Sequence, residues 1–123
     1  MANEIKLNIN ATLTNGYLSR SFQTGQLQIT QTTLGAYSAV VSVGTSEEDL
    51  LTGDVGTLGF LMLRNLDSTN YVQWGPKSGG SMVAVGRLKP NGEPAVIRLE
   101  PGITIRWVAN TGACKVAVEL WEA

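Results

Sequence analysis

The chain has 123 residues, nine basic and ten acidic side chains for a formal charge of −1, one cysteine and no histidine. Its length suits one domain that buries about two thirds of its unfolded surface, enough for a core without staples. The composition excludes an intramolecular disulfide and any Ser-His-Asp or Cys-His machinery, removes the commonest metal ligand, and leaves isolated Lys and Arg rather than the basic stripe that nucleic acid requires.

Residues 1–35 carry only Glu4, Lys6 and Arg20 as charges and are crowded with Asn, Gln, Thr and Ser. The start, MANEIKLNIN, has neither the charged n-region nor the apolar h-region of a signal peptide. No apolar run approaches the ~20 residues that span a bilayer, so the expectation is synthesis in a cytoplasm and no membrane partner. EIKLNI alternates Ile5, Leu7 and Ile9 with polar neighbours, as a half-buried strand does, and QLQITQT repeats the pattern with Leu27 and Ile29. Between them TNGYLSRSFQTG reads as a loop or weak hairpin, with Asn15-Gly16 as the favoured turn dipeptide. Asn10-Ala11-Thr12 matches a glycosylation acceptor but lacks a secretory context. Residues 1–35 are thus a polar N-terminal arm, or strands that join the chain's own sheet or lie along a neighbour's. Residues 36–123 are the expected β-sandwich domain.

AYSAVVSVG, from Ala36 to Gly44, is a strand with Tyr37, Ala39, Val41 and Val43 on one face. In TSEEDLLTGD, Thr45 and Glu48 have capping-box spacing, but Gly53 ends the segment too soon for a stable helix. A loop is the preferred reading, with a short strand through Leu50 and Leu51 as the alternative. Glu47, Glu48, Asp49 and Asp54 form the densest acidic cluster. Calcium would need convergent oxygens here, and the spacing is not that of a calcium loop, so a solvated loop is the plainer reading.

From Gly56 onward the runs GTLGFLMLRN, NYVQW, SMVAVGRLK, PAVIRLE, ITIRWVAN and CKVAVELW are separated by LDST, GPKSGGS, PNGE, PG and TGA. Gly75-Pro76 is expected to end the Trp74 strand, Pro90-Asn91-Gly92 to form a tight turn, and Pro101-Gly102 to fill the centre of a type II turn. No connection is long enough for a parallel crossover, so neighbours pair antiparallel. The fold class is all-β: an antiparallel β-sandwich, jelly-roll-like, of about eight or nine short strands, with a small barrel as the second choice.

The segment Asn65-Leu66-Asp67-Ser68-Thr69-Asn70 is first a turn, because its side chains bond their own backbone. It could also present Asp67 and Asn70 to a partner or a sugar. Trp107 shares parity with Ile103 and Ile105 and belongs to the core or a sheet edge. Trp121 falls on the Ala117/Glu119 face near the C-terminus, where an exposed aromatic marks a contact surface. Cys114 lies in an alternating strand and reads as a small buried hydrophobe. Glu93, Glu100, Glu119 and Glu122 lie near turns or the terminus with nothing to raise a pKa, and no glycine stretch forms a phosphate loop. The expected site is therefore one of interaction, carried by Asp67, Asn70 and Trp121, with no catalytic residue, cofactor or metal.

The stretch GTLGFLMLRNLDSTNYVQWG, with RLKPNGEPAVIRLEPGITIRWVANTGACKVAVELWE after it, resembles a group of small tailed-bacteriophage structural proteins. The matching positions are Asn65, Leu66, Asp67, Thr69, Asn70, Tyr71 and Val72. Arg87, Leu88, Pro90, Gly92, Glu93, Arg98, Pro101, Gly102 and Thr104 follow the same pattern. The likeness spans residues 37 to 122 and is one of turns and strands. The chain departs from it by placing Asn91 between Pro90 and Gly92, which lengthens one turn. The resemblance implies a virion protein without enzymatic activity. It would be a capsid decoration (cement) protein bridging neighbouring subunits, or alternatively a tail or head–tail component. Its partners would be the major capsid protein or other virion proteins, together with further copies of itself in symmetric arrangement. A different alternative is a carbohydrate- or receptor-binding module, which would show exposed tryptophan to a glycan.

Overall fold

The computed structural model of the chain describes residues 3–122, which fall into two compact units, residues 3–34 and Gly35–Glu122. The first unit contains β1 (Ile5–Leu7), β2 (Asn10–Asn15), β3 (Leu18–Gln23) and β4 (Leu27–Ile29). β1 pairs antiparallel with β4, so that Ile5 faces Ile29 and Leu7 faces Leu27, as their alternation requires. β2 and β3 form a hairpin whose turn is Gly16-Tyr17 rather than Asn15-Gly16, because Asn15 is still paired, opposite Leu18. Gly16 has φ +57°, the conformation that the first position of a type II′ turn demands. Thr24 ties the base of the hairpin: its amide donates to the Ile9 carbonyl (3.0 Å), and its hydroxyl accepts from the Ile9 amide (3.0 Å).

The second unit contains β5 (Ala36–Val43), β6 (Glu48–Asp49), β7 (Phe60–Asn65), β8 (Val72–Ser78) and β9 (Ser81–Met82). It continues with β10 (Gly86–Leu88), β11 (Pro94–Arg98), β12 (Ile105–Ala109) and β13 (Cys114–Trp121). One sheet has the order β11-β7-β13-β5 and the other β10-β8-β12-β6, with β9 added beside β8, and every pairing is antiparallel. Alternating residues turn inward from each sheet. Val43, Leu61, Leu63, Val116, Val118 and Leu120 from the first meet Val72, Trp74, Leu88, Ile105, Trp107 and Ala109 from the second. Each large side chain so buried stabilises the fold by about 1.5–3 kcal/mol before entropy is counted. Trp107, 1% exposed, and Cys114, 0% exposed, sit where their parity puts them. Tyr37 and Val41 pack against the same core. The fold is an all-β antiparallel sandwich.

Three details differ from the sequence expectation. Among the described residues the strands number thirteen rather than eight or nine, because five of them are only two or three residues long. SMVAVGRLK is not one strand: it breaks into β9 and β10, and Val83 and Val85 between them are 51% and 63% exposed. Gly75-Pro76 does not end the Trp74 strand but lies inside β8. The Lys77 amide donates to the Thr104 carbonyl, so Pro76, one residue away, turns its nitrogen toward the broken β9–β10 side. There the Pro76 carbonyl still accepts from the Val83 amide (2.8 Å), and the missing N–H costs only the reciprocal bond beside the break, which is how a proline survives within a strand. TSEEDLLTGD forms the two-residue β6 and a loop, without a helical turn.

Candidate interaction surfaces

Three turns interlock at one end of the sandwich, around a residue that the sequence reading did not single out. Asn65 is 0% exposed, and its side-chain amide donates to the carbonyls of Asn70 (2.9 Å) and Leu88 (3.0 Å). Its Oδ1 accepts from the Asp67 amide (2.9 Å), and its backbone bonds Glu93 and Gly92 across to the β10–β11 turn. The signal for it was parity, since Asn65 continues the inward series Leu61, Leu63. Asp67 Oδ2 accepts from the amides of Thr69 (2.9 Å) and Asn70 (2.6 Å), while its carbonyl accepts from Asn91 (2.8 Å). Asn70 Oδ1 accepts from the Thr111 hydroxyl (2.8 Å), and the Tyr71 amide donates to Asn110 Oδ1 (3.0 Å). Asn91 takes φ +70° beside Gly92 at φ +91°, so this turn is built from two left-handed residues. Arg87 covers the Tyr71 ring, 4.1 Å from its centroid.

The structure brings Asp67 and Asn70 together in one turn and places Trp121 elsewhere. Trp121 pairs with Phe60 at the start of β7, whereas Asn65 ends β7, about 17 Å away at the usual strand rise. Trp121 is half-buried, and its indole N–H donates to Glu119 (3.0 Å), which also accepts from Ser38 (2.6 Å). It shares the outer face of its sheet with Val40, Met62, Val96 and Ala117, and Arg98 stacks over Phe60 beside it, 5.1 Å from the ring centroid.

The acidic cluster is met by cations from the neighbouring strands. Arg106 Nε donates to Asp49 (2.7 Å), and its Nη1 reaches Glu47 (3.3 Å) and the Gly80 carbonyl (3.0 Å). Lys77 lies 4.0 Å from Asp49, and Glu48 accepts from the Gly44 amide. Among the described residues no group of His, Cys, Asp and Glu could hold a metal ion. The Arg106 hydrogen bond holds the Asp49 carboxyl below its ordinary range, and the Asn70 and Thr69 amides do the same for Asp67. Burial pushes the Cys114 thiol up, with the Asp67 charge adding to it. Carboxyls depressed in the folded state stabilise it above their unfolded pKa of about 4 and lose that contribution as pH falls through the folded value. The melting temperature is therefore expected to hold from pH 8 to pH 5, where no histidine titrates, and to fall below about pH 4. In Asp67→Asn the acid drop becomes shallower. Differential scanning calorimetry across pH 2.5–8 checks both statements, and equal acid slopes in the two proteins would contradict the Asp67 assignment.

An open apolar surface lies on the hairpin, where the sequence predicts a loop or weak hairpin. Every residue of β2 and β3 is exposed. The register sets Ala11 opposite Phe22, Leu13 opposite Arg20 and Asn15 opposite Leu18 on one face, with Thr12, Thr14, Ser19 and Ser21 on the other. Leu13, Leu18 and Phe22 are 47%, 44% and 64% exposed, and Tyr17 stands fully open at the tip. A two-stranded ribbon of this kind is marginal by itself and gains stability when its apolar face is covered. A groove of about 380 Å³ in the second unit is lined by Leu50, Leu51, Val55, Leu58 and Ile103, with Thr52, Thr104 and the paired Asp49 as its polar side chains. Comparison of the chain with protein-family models, curated proteins and solved structures returns no match.

Proposed function

We propose that this chain is a non-enzymatic structural protein of a tailed-phage virion, and that it serves as a capsid decoration protein bridging neighbouring subunits of the shell. The observation that carries the reading is the amphipathic hairpin. Leu13, Leu18 and Phe22 lie open on one face of a ribbon with polar residues on the other, which is what an adhesive arm requires. The sandwich supports it as scaffold. With the orders β5-β13-β7-β11 and β6-β12-β8-β10, the chain changes sheet at every connection of this unit except those from β8 through β9 to β10, which is compatible with a jelly roll, an architecture that capsid proteins use. The polar side chains of the Asn65–Asn70 turn are spent on locking loops together, which favours rigidity over chemistry.

The partners in this reading are capsid subunits and further copies of the chain, and its place is the particle. A tail or head–tail position would use the same hairpin. A glycan- or receptor-binding module has less support, because Trp74 and Trp107 are buried and Trp121 is half-buried, leaving Tyr17 as its best-placed aromatic. Co-sedimentation with capsids of the encoding phage, stripped of this chain, tests the proposal. The wild-type chain is expected to be retained in fixed ratio to the major capsid protein. The double variant Leu13→Ser/Phe22→Ser should be retained about tenfold less, with its tryptophan-monitored melt unchanged. Failure of the wild type to bind, or retention indifferent to the two substitutions, overturns the reading.

A further inference from the structure

Among the described residues the longest strand at a sheet edge is β5, and its outer side carries none of the devices that keep sheet edges apart. β5 ends its sheet, with β13 as its strand neighbour among the described residues. The Glu122 amide donates to the Gly35 carbonyl, so Gly35 and Glu122 form a hydrogen-bonded pair. Alternation along an antiparallel ladder then turns the N–H and C=O groups of Tyr37, Ala39, Val41 and Val43 toward β13. Those of Ala36, Ser38, Val40 and Ser42 face away from the sheet. Gly44 agrees with this parity, for its amide and carbonyl leave β13 to meet Glu48 and Ala109.

Natural edges are blunted by shortness, charge, proline or a cover. The other edges of this unit follow that rule. β11 begins with Pro94 and ends with Arg98, β10 has three residues, and β6 is the acidic pair Glu48–Asp49. β5 has eight residues, Ala-Tyr-Ser-Ala-Val-Val-Ser-Val, without charge or proline, and no charged residue occurs anywhere from Ser21 to Ser46. Its four outward-facing residues are all exposed, Val40 at 61%.

We infer that the outer edge of β5 is a pairing site for a second copy of the chain, joined antiparallel about a two-fold axis at Val40. The strand is complementary to itself in that register. Val40 faces Val40, Ser38 faces Ser42 with both hydroxyls on the same sheet face, and Ala39 faces Val41 on the core side. No like charges meet, and a two-fold contact closes after two copies. The outward groups of Ser38, Val40 and Ser42 exchange about six backbone hydrogen bonds, and two four-stranded sheets become one of eight. A single strand edge buries less than the roughly 800 Å² per partner of a standard interface, so this dimer forms over the micromolar range. The inference is independent of any role in a virion, and its test uses the purified chain alone.

Sedimentation velocity from about 1 to 300 µM reads the association. The weight-average mass is expected to rise from 13.1 kDa toward twice that value. Val40→Lys sets two ammonium groups opposite each other and should weaken association at least about tenfold, without lowering the melting temperature. Register is read by disulfide formation with oxidised glutathione. Val40→Cys brings two cysteines to about 5.5 Å between Cα atoms, within bridging distance. Ser38→Cys leaves them about 14 Å apart along the strands, and the native Cys114 is buried. Rapid cross-linking of Val40→Cys alone supports the inference. A monomer across the whole range, a dimer indifferent to Val40→Lys, or equal cross-linking of the two cysteine variants overturns it.

Discussion

Asn65→Ala is expected to destabilise the second unit by about 3 kcal/mol and to lower its melting temperature by roughly 15 °C. The substitution leaves the Leu88 and Asn70 carbonyls and the Asp67 amide without the partner they have in the native fold. Each buried polar group so orphaned costs about 1–3 kcal/mol, and Asn65 itself is wholly enclosed, so water cannot enter without opening the turn. Asn65→Asp keeps the shape but sets carboxylate oxygens against two carbonyls, and it should lose at least as much. Calorimetry gives the size of the effect, while amide exchange locates it. Exchange should accelerate at Asp67, Asn91 and Gly92, whose amides lie in the same bonded cluster, before it does in β13. A melt within 2 °C of wild type for Asn65→Ala would show that the three turns hold each other without this side chain.

The part of this structure that was legible in the sequence is the part governed by strand parity and turn chemistry. Tyr37, Ala39, Val41 and Val43 read as one face of a strand because a half-buried strand writes its burial every second residue, and they do face the core. Gly102 read as the second central residue of a type II turn, and it takes φ +86° with Ile103 N–H bonding back to the Glu100 carbonyl. What stayed hidden depends on contacts between distant segments. Nothing local to SMVAVGRLK marks the break at Val83–Val85, since those residues alternate as a strand should. Their course is decided by β8, which accepts the Val83 and Val85 amides at Pro76 and Trp74. The acidic cluster read as solvated because Arg106, fifty-seven positions from Asp49, is brought to it only by the pairing of β6 with β12. The hairpin read only as a loop or weak hairpin because its alternation is weak, with Arg20 interrupting the apolar face that Phe22 and Leu18 continue. Among the interaction residues, Asp67 and Asn70 were placed in a turn, as they are. The bonds from the Thr69 and Asn70 amides to Asp67 are the local kind that such a turn implies, whereas the ties of Asn70 to Thr111 and of the Asp67 carbonyl to Asn91 are tertiary geometry that spacing does not encode.

Gly75→Ala is expected to cost about 3 kcal/mol, the upper end of what overpacking exacts, although it adds a single methyl group. Gly75 is buried in the middle of β8, and the broken segment between β9 and β10 folds directly over it. A Cβ there would fall on the Val83 carbonyl oxygen and within 3.0 Å of the Val85 nitrogen. Both are backbone atoms, so no side chain can swing aside. The obstruction can be relieved only by lifting the segment, which breaks the bonds from Val83 N–H to Pro76 (2.8 Å) and from Val85 N–H to Trp74 (3.0 Å). Trp74 would feel the change as well, because Gly86 follows this segment and its missing side chain is what lets the indole lie where it does. Gly75→Ala should therefore shift tryptophan emission to the red as well as lower the melting temperature by roughly 15 °C. Gly44→Ala is the matched control. A Cβ at Gly44 meets nothing within 4 Å, so that variant should melt within about 0.5 kcal/mol of wild type. Equal melts for the two alanine variants would mean that Val83–Val85 does not sit on β8 in solution. The break between β9 and β10, and with it the passage of Pro76 through the middle of a strand, would then need another cause.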